Sequence, residues 1–127
     1  QLPGTLGYVE YAYVKQTKMN WVQMQNKEGQ WVAPDDLTFK AAAANTKWEQ
    51  SFYQILTEQS GKNSWPVTGA TFIIMYLKNE KQQEAQEAIK FFRWAFSKGS
   101  KMAEDLDYVP LPENVVKLVE KEISKIK

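Results

Sequence analysis

The stretch Trp65-Pro66-Val67-Thr68-Gly69-Ala70-Thr71-Phe72-Ile73-Ile74-Met75-Tyr76-Leu77 is the most apolar run in the chain, and its reading decides the fold. Residues 71–77 are β-branched, aromatic or long aliphatic, and they carry no charge. A strand with one wet face alternates apolar with polar side chains, so an unbroken apolar run predicts a strand buried on both faces. Pro66 and Gly69 predict irregular backbone ahead of it. The residues before the run are polar and aromatic, and those after it are strongly helical. The stretch therefore reads as a crossing from one structural unit to another. One core strand in one compact domain fits the same pattern.

Downstream, Lys78-Asn79-Glu80-Lys81 is a charged turn. An amphipathic helix is expected over about residues 82–98, because Ala85, Ala88, Ile89, Phe92, Ala95 and Phe96 recur at steps of three and four. Phe91 and Trp94 widen that stripe, and Gly99 is expected to stop the helix. Residues 101–106 suit another short helical turn. Asp107-Tyr108-Val109-Pro110-Leu111-Pro112 reads as a rigid extended link. Pro112 opens a last helix with Val115, Val116, Leu118, Val119, Ile123 and Ile126 on its apolar face.

Upstream, residues 2–7 form a Pro- and Gly-set turn. Residues 8–11 and 21–24 suit strands, with a helical turn at 12–17 between them. Asn26-Lys27-Glu28-Gly29 is a hairpin turn, and Gln30-Trp31-Val32 is its return arm. The pairs Tyr8 with Tyr11 and Trp21 with Trp31 could offer a stacking surface, but cross-strand packing is the preferred reading. Pro34-Asp35-Asp36 starts a helix that Leu37, Phe39 and the alanines 41–44 continue. Thr46-Lys47-Trp48-Glu49 has the form of a capping box, and Trp48, Phe52, Ile55 and Leu56 then follow at helical spacing. Residues 59–64 are a polar loop. Strands with helices, then a strand, then two helices indicate an α/β class.

Composition narrows the function. The chain has 127 residues, a one-domain length, with 16 basic and 15 acidic side chains. Such balance gives no electrostatic reason to expect nucleic acid or an anionic membrane. No apolar run approaches the roughly 20 residues that span a bilayer. The chain opens on Gln1 without a signal peptide, so processing, cutting or renumbering is expected. Cysteine and histidine are both absent. That removes thiolate nucleophiles, disulfides, the usual base of a Ser nucleophile and the commonest transition-metal ligand. Missing cysteine suits an oxidising compartment and a reducing one equally. The 17 aromatic residues, five Trp, six Tyr and six Phe, are better explained as large core side chains than as stacking platforms.

Candidate chemistry is sparse. No P-loop, GxGxxG or HExxH motif occurs. Lys98-Gly99-Ser100-Lys101 follows a helix, whereas a phosphate cradle precedes one. Gly61-Lys62-Asn63-Ser64 lacks the second spaced glycine. Asp35-Asp36 is better explained by a helix N-terminus than by a cation. Glu104, Asp105 and Asp107 do not match a calcium loop and suit a solvated turn. No catalytic residue, metal site or cofactor is assigned, and the chain is not expected to be an enzyme.

Four blocks carry a resemblance. Leu2-Pro3-Gly4-Thr5-Leu6-Gly7-Tyr8-Val9-Glu10-Tyr11-Ala12-Tyr13, Trp65-Pro66-Val67-Thr68 with the run after it, Lys90-Phe91-Phe92-Arg93-Trp94-Ala95-Phe96, and Asp105-Leu106-Asp107-Tyr108-Val109-Pro110-Leu111-Pro112 together resemble the PstS family. These are periplasmic phosphate-binding proteins, the receptors of phosphate ABC transporters. The resemblance implies the C-terminal portion of such a receptor, with a partial type II periplasmic-binding-protein fold. Residues 1–64 would end the second lobe, 65–70 would form a hinge crossing, and 71–127 would return to the first lobe.

Family receptors hold phosphate with Ser and Thr hydroxyls, backbone amides, a carboxylate and an Arg, near an Arg-x-x-x-Ser-Gly-Thr-like segment. No such segment occurs here, and the single Arg, Arg93, falls in a predicted helix. The resemblance thus implies phosphate as the ligand of the parent, an ABC permease as its partner, a periplasmic location, and phosphate ligands on upstream polypeptide. Half a receptor would leave sheet edges unpaired, so either the N-terminal portion or a homodimer partner is expected. The alternative is a stand-alone structural or interaction module that binds no phosphate. A hydrolase is a third reading, which would need carboxylates gathered by folding.

Overall fold

A computed structural model describes residues 2–127. In chain order the elements are α1 Tyr11–Thr17, β1 Met24–Gln25, β2 Trp31–Val32, α2 Asp36–Ala44, α3 Gln82–Lys98, α4 Ser100–Asp105 and α5 Glu113–Ile123. The strands β1 and β2 pair antiparallel, with Met24 opposite Val32 and Gln25 opposite Trp31. The described residues thus form a mixed, mainly helical assembly with a two-stranded sheet. The expected α/β class is met in its mixture of elements but not as a larger sheet.

The first expected strand does not form; α1 fulfils the helical turn expected at 12–17 and begins one residue earlier, at Tyr11. Residues 8–10 have no partner strand, Tyr8 is 99% exposed, and Tyr11 already opens the helix. Its ring packs edge-on against Phe39 of α2, 5.1 Å between centroids. The second expected strand shortens to β1, so Trp21 lies outside it. Trp31 faces Gln25 across the ladder, and both tryptophans are more than half exposed. The expected Trp21–Trp31 and Tyr8–Tyr11 packing is therefore not found. The turn itself is as expected: Gly29 adopts φ +75°, a left-handed conformation that glycine takes without a Cβ penalty.

Asp35, rather than Pro34, sets the start of α2. Its Oδ1 accepts from the Thr38 amide at 2.8 Å, while Thr38 Oγ1 accepts from the Asp35 amide at 3.1 Å. This reciprocal pair satisfies two otherwise orphaned donors, a contribution of about 1 kcal/mol. The helix expected from Thr46 onward is absent. Thr46 Oγ1 instead donates back to the Ala42 carbonyl at 2.9 Å, and Trp48 Nε1 donates to the Ala43 carbonyl at 2.6 Å. The two side chains finish α2, whose last carbonyls lack intrahelical partners, instead of beginning a new helix. Trp48 and Leu56 remain buried, and with Ala43 and Val115 they form the core; Phe52, Ala70, Leu111, Leu118 and Val119 surround it.

The helices α3 and α5 follow the sequence pattern. Ala85 and Ile89 are buried on α3, and Val115 and Ile123 on α5. Arg93 Nε donates to Glu120 Oε2 at 3.0 Å and ties the two helices together. Gly99 ends α3 as its C-cap, as expected, but without a left-handed conformation. Its φ is −80°, and α4 begins at the next residue. A Cβ at this position would come within 2.7 Å of the Ala95 carbonyl oxygen, so the close α3–α4 junction requires glycine. Pro112 precedes α5 as its N-cap.

The largest departure is at residues 71–77. No strand forms there, and the side chains are not buried: Ile74 is 95% and Tyr76 81% exposed. Among the described residues, the backbone of 70–75 makes no hydrogen bond. At the far end, the Lys127 amide donates to the Leu77 carbonyl at 2.9 Å and the Asn79 amide to the Lys127 carbonyl at 3.1 Å. A doubly buried strand needs neighbours at both edges and cover on both faces. The described residues supply neither, so the apolar run has the composition of a central strand without its sheet.

Candidate functional site at the Trp65 crossing

Several elements converge on Trp65. The residue is 8% exposed, and it lies between the fully buried Ser64 and Pro66. Its amide donates to the Thr38 carbonyl of α2 at 3.1 Å, and its ring meets Phe39 edge-on at 6.2 Å. With the Tyr11–Phe39 contact, this makes an aromatic chain from α1 through α2 to the crossing. Such edge-to-face pairs add about 0.5–1.5 kcal/mol each beyond their buried area. The Glu58 amide donates to the Pro66 carbonyl at 2.9 Å and closes the loop of residues 58–66. Thr68 Oγ1 donates to the Trp65 carbonyl at 3.0 Å.

Asn26, at the tip of the hairpin, holds this loop from the other side. It is 6% exposed. Its Oδ1 accepts from the amides of Glu28 and Gln30 at 3.1 and 3.0 Å. Its Nδ2 donates to the carbonyls of Lys62, Ser64 and Gly61 at 2.9, 3.2 and 3.3 Å. Gly61 has φ +116°, and a Cβ there would collide with Asn45 Nδ2. Local sequence reasoning sees Asn26 as a turn residue and misses this role, because its partners lie 35–38 residues away.

The motifs weighed in the sequence take structural roles. In the loop Gly61-Lys62-Asn63-Ser64 the carbonyls of Gly61, Lys62 and Ser64 accept from Asn26 and the Gly61 amide donates to Glu28 Oε1 at 3.4 Å, so these groups are engaged with the hairpin. Asp35 caps α2, and Asp36 sits in its first turn. The acidic group around Asp107 is dispersed among three lysines: Lys15–Asp107 at 2.6 Å, Lys40–Glu104 at 3.5 Å and Lys101–Asp105 at 2.5 Å. Among the described residues no group of three carboxylates is placed to hold a metal ion. The hydrogen bond to Asp107 raises the Lys15 pKa, and burial raises that of Tyr11 against the opposing charge of Lys15.

Three features bear on anion binding. The three longer helices carry carboxylates in their first turns: Asp36 in α2, Glu84 in α3 and Glu113 in α5. These charges already complement the helix dipoles and would repel an oxyanion. Arg93 is engaged by Glu120. A groove of about 370 Å³ between Trp48, Glu49, Phe52 and the α5 residues Leu118, Lys121 and Glu122 holds two carboxylates against one ammonium. No described helix is long and apolar enough to cross a membrane.

No family model matches the chain. Individual proteins do. The phosphate-binding protein PstS of Pasteurella multocida is 47% identical over 118 residues, which is 91% of this chain and 34% of that protein. That of Haemophilus influenzae is 41% identical over 121 residues, 94% of this chain and 36% of its own length. The PstS of Methanocaldococcus jannaschii is 32% identical over 140 residues, again 36% of its length. The chain therefore spans about a third of the length of the curated relatives it matches. Nearly all of this chain is thus similar in sequence to one portion of the phosphate-binding proteins named PstS.

Proposed function

We propose that this chain is the C-terminal portion of a periplasmic receptor that binds inorganic phosphate and delivers it to an ABC permease, and that it is not an enzyme. One observation carries the reading: identity of 41–47% over 91–94% of the chain, to relatives three times as long. On this reading the receptor has a type II binding-protein fold. Residues 1–64 end the second lobe, 65–70 are the hinge crossing and 71–127 return to the first lobe. The phosphate ligands belong to the rest of the receptor. The acidic helix N-termini and the occupied Arg93 are in keeping with that assignment.

The unpaired run at residues 71–77 supports the same reading. Its exposed edges and faces suit a central strand whose neighbours come from the remaining two-thirds of the receptor. Open strand edges of this kind pair readily with another chain. The test is the receptor-length product of the gene region that encodes this chain. It should contain an Arg-x-x-x-Ser-Gly-Thr-like segment and retain phosphate in equilibrium dialysis. A region without such a segment, or a receptor-length product that retains no phosphate, overturns the proposal. Sedimentation of this chain alone as a folded dimer would favour a stand-alone module instead.

A further inference from the structure

The backbone changes character within three residues. Up to Pro66 it is locked: Ser64, Trp65 and Pro66 are buried, and the Ser64 and Trp65 amides donate to Gly61 and Thr38 at 3.0 and 3.1 Å. Among the described residues, the backbone of 67–69 makes no hydrogen bond, and the Thr68 hydroxyl donates back to the Trp65 carbonyl. Val67 is exposed, and nothing lies within 4 Å of where a Gly69 Cβ would stand. Thr38 and Glu58 hold Trp65 and Pro66 directly, and Asn26 holds the loop behind them, using both ends of one buried amide to fasten residues 61–64 to the hairpin.

We infer that Asn26 is a positioning residue for lobe closure, a brace that confines the pivot to Val67, Thr68 and Gly69. The inference rests on the reading of this stretch as the receptor's hinge, and it goes further by naming where the hinge bends and what stops it bending earlier. A buried amide suits this role. Its oxygen accepts from two amides and its two N–H donors are shared among three carbonyls, so it cannot rotate without leaving buried polar groups unpaired. A pivot of three residues keeps the open lobes in a narrow range of orientations. Narrowing the free ensemble raises affinity by lowering the ordering cost of binding.

Asn26→Asp separates the two halves of the brace. The carboxylate still accepts from Glu28 and Gln30, but it donates nothing to the loop and sets its charge against three carbonyl oxygens. In the receptor-length protein, the variant should release phosphate more readily, with a raised Kd, because a wider free ensemble increases the ordering cost of binding. Small-angle scattering should show a broader phosphate-free form and an unchanged phosphate-bound form. Val115→Ala, matched in thermal stability, should leave both readouts unaltered.

A second measurement needs no variant. Amide exchange of the wild-type receptor should show slow exchange at Ser64 and Trp65, fast exchange at 67–69, and slow exchange again at 71–77. Continuous protection through 64–77 overturns the inferred pivot. So does an Asn26→Asp protein with unchanged scattering and unchanged affinity. A wild-type receptor that binds no phosphate yet shows the fast-exchanging island sinks the functional reading and leaves the brace standing.

Discussion

The chain on the two sides of Pro66 makes opposite use of its residues. Before it, residues 58–66 are largely polar, yet Ser64 is fully buried and its neighbours are held by Asn26, Thr38 and one another. After it, residues 71–77 are apolar, yet they lie open, and among the described residues the backbone of 71–75 makes no hydrogen bond. Burial here follows the supply of partners rather than hydrophobicity. The buried part of the polar loop finds its partners within this chain, at Asn26, Thr38 and Glu58. The apolar run needs sheet neighbours, and local contacts cannot replace them.

That contrast can be broken at its strongest point first. Trp48→Ala removes a buried ring that packs in the core and ties down the end of α2. It should lower stability by about 3–5 kcal/mol, read by urea denaturation of the chain. A loss below about 1 kcal/mol would mean that the segment after α2 is not packed as described. Next, Asp35→Ala deletes one side of the reciprocal cap and should cost about 1 kcal/mol, checked in the same way; Asp35→Ser should recover most of it.

Ile74→Lys probes the other side. In the isolated chain the substitution should change stability by no more than about 0.5 kcal/mol, because the side chain is exposed. When the remaining two-thirds of a receptor is added, the same substitution should abolish co-elution, since a central strand cannot bury an unpaired ammonium. Full association by the variant would show that this run is not an assembly surface.

The smallest effect is alkaline. Asp107 raises the Lys15 pKa above the ordinary 10.5, so the pair's stabilisation is complete below that value and is lost as pH rises through the folded-state pKa. Thermal melts in increasingly alkaline buffer should fall slightly more steeply for the wild type than for Lys15→Met. Parallel curves would mean that the pair contributes nothing measurable, as many surface ion pairs do.

What the sequence disclosed, and what it hid, follow the same division. The helices α3 and α5 were legible because the three-four spacing of Ala85, Ile89, Val115 and Ile123 is a local signal that their own packing fulfils. The hairpin turn was legible from Asn26 and Gly29. The helix expected after Thr46 failed because Thr46 and Trp48 found a better use on the carbonyls of α2, a competition that spacing does not register. The strand at 71–77 failed for a different reason: its composition is right for a sheet that this chain does not supply. At the crossing, Pro66 and Gly69 marked the irregular backbone, but the contacts of Asn26 with residues 61–64 are remote in sequence and had no local trace.

The central claim is that this chain contributes scaffold and the gripping groups lie elsewhere. Calorimetric titration of inorganic phosphate into the purified chain, alone and then combined with the remaining two-thirds of the receptor, tests it most directly. The account predicts no heat of binding from the chain alone and saturable binding, one phosphate per complex, once the two parts are joined. Saturable phosphate binding by the chain alone would contradict it.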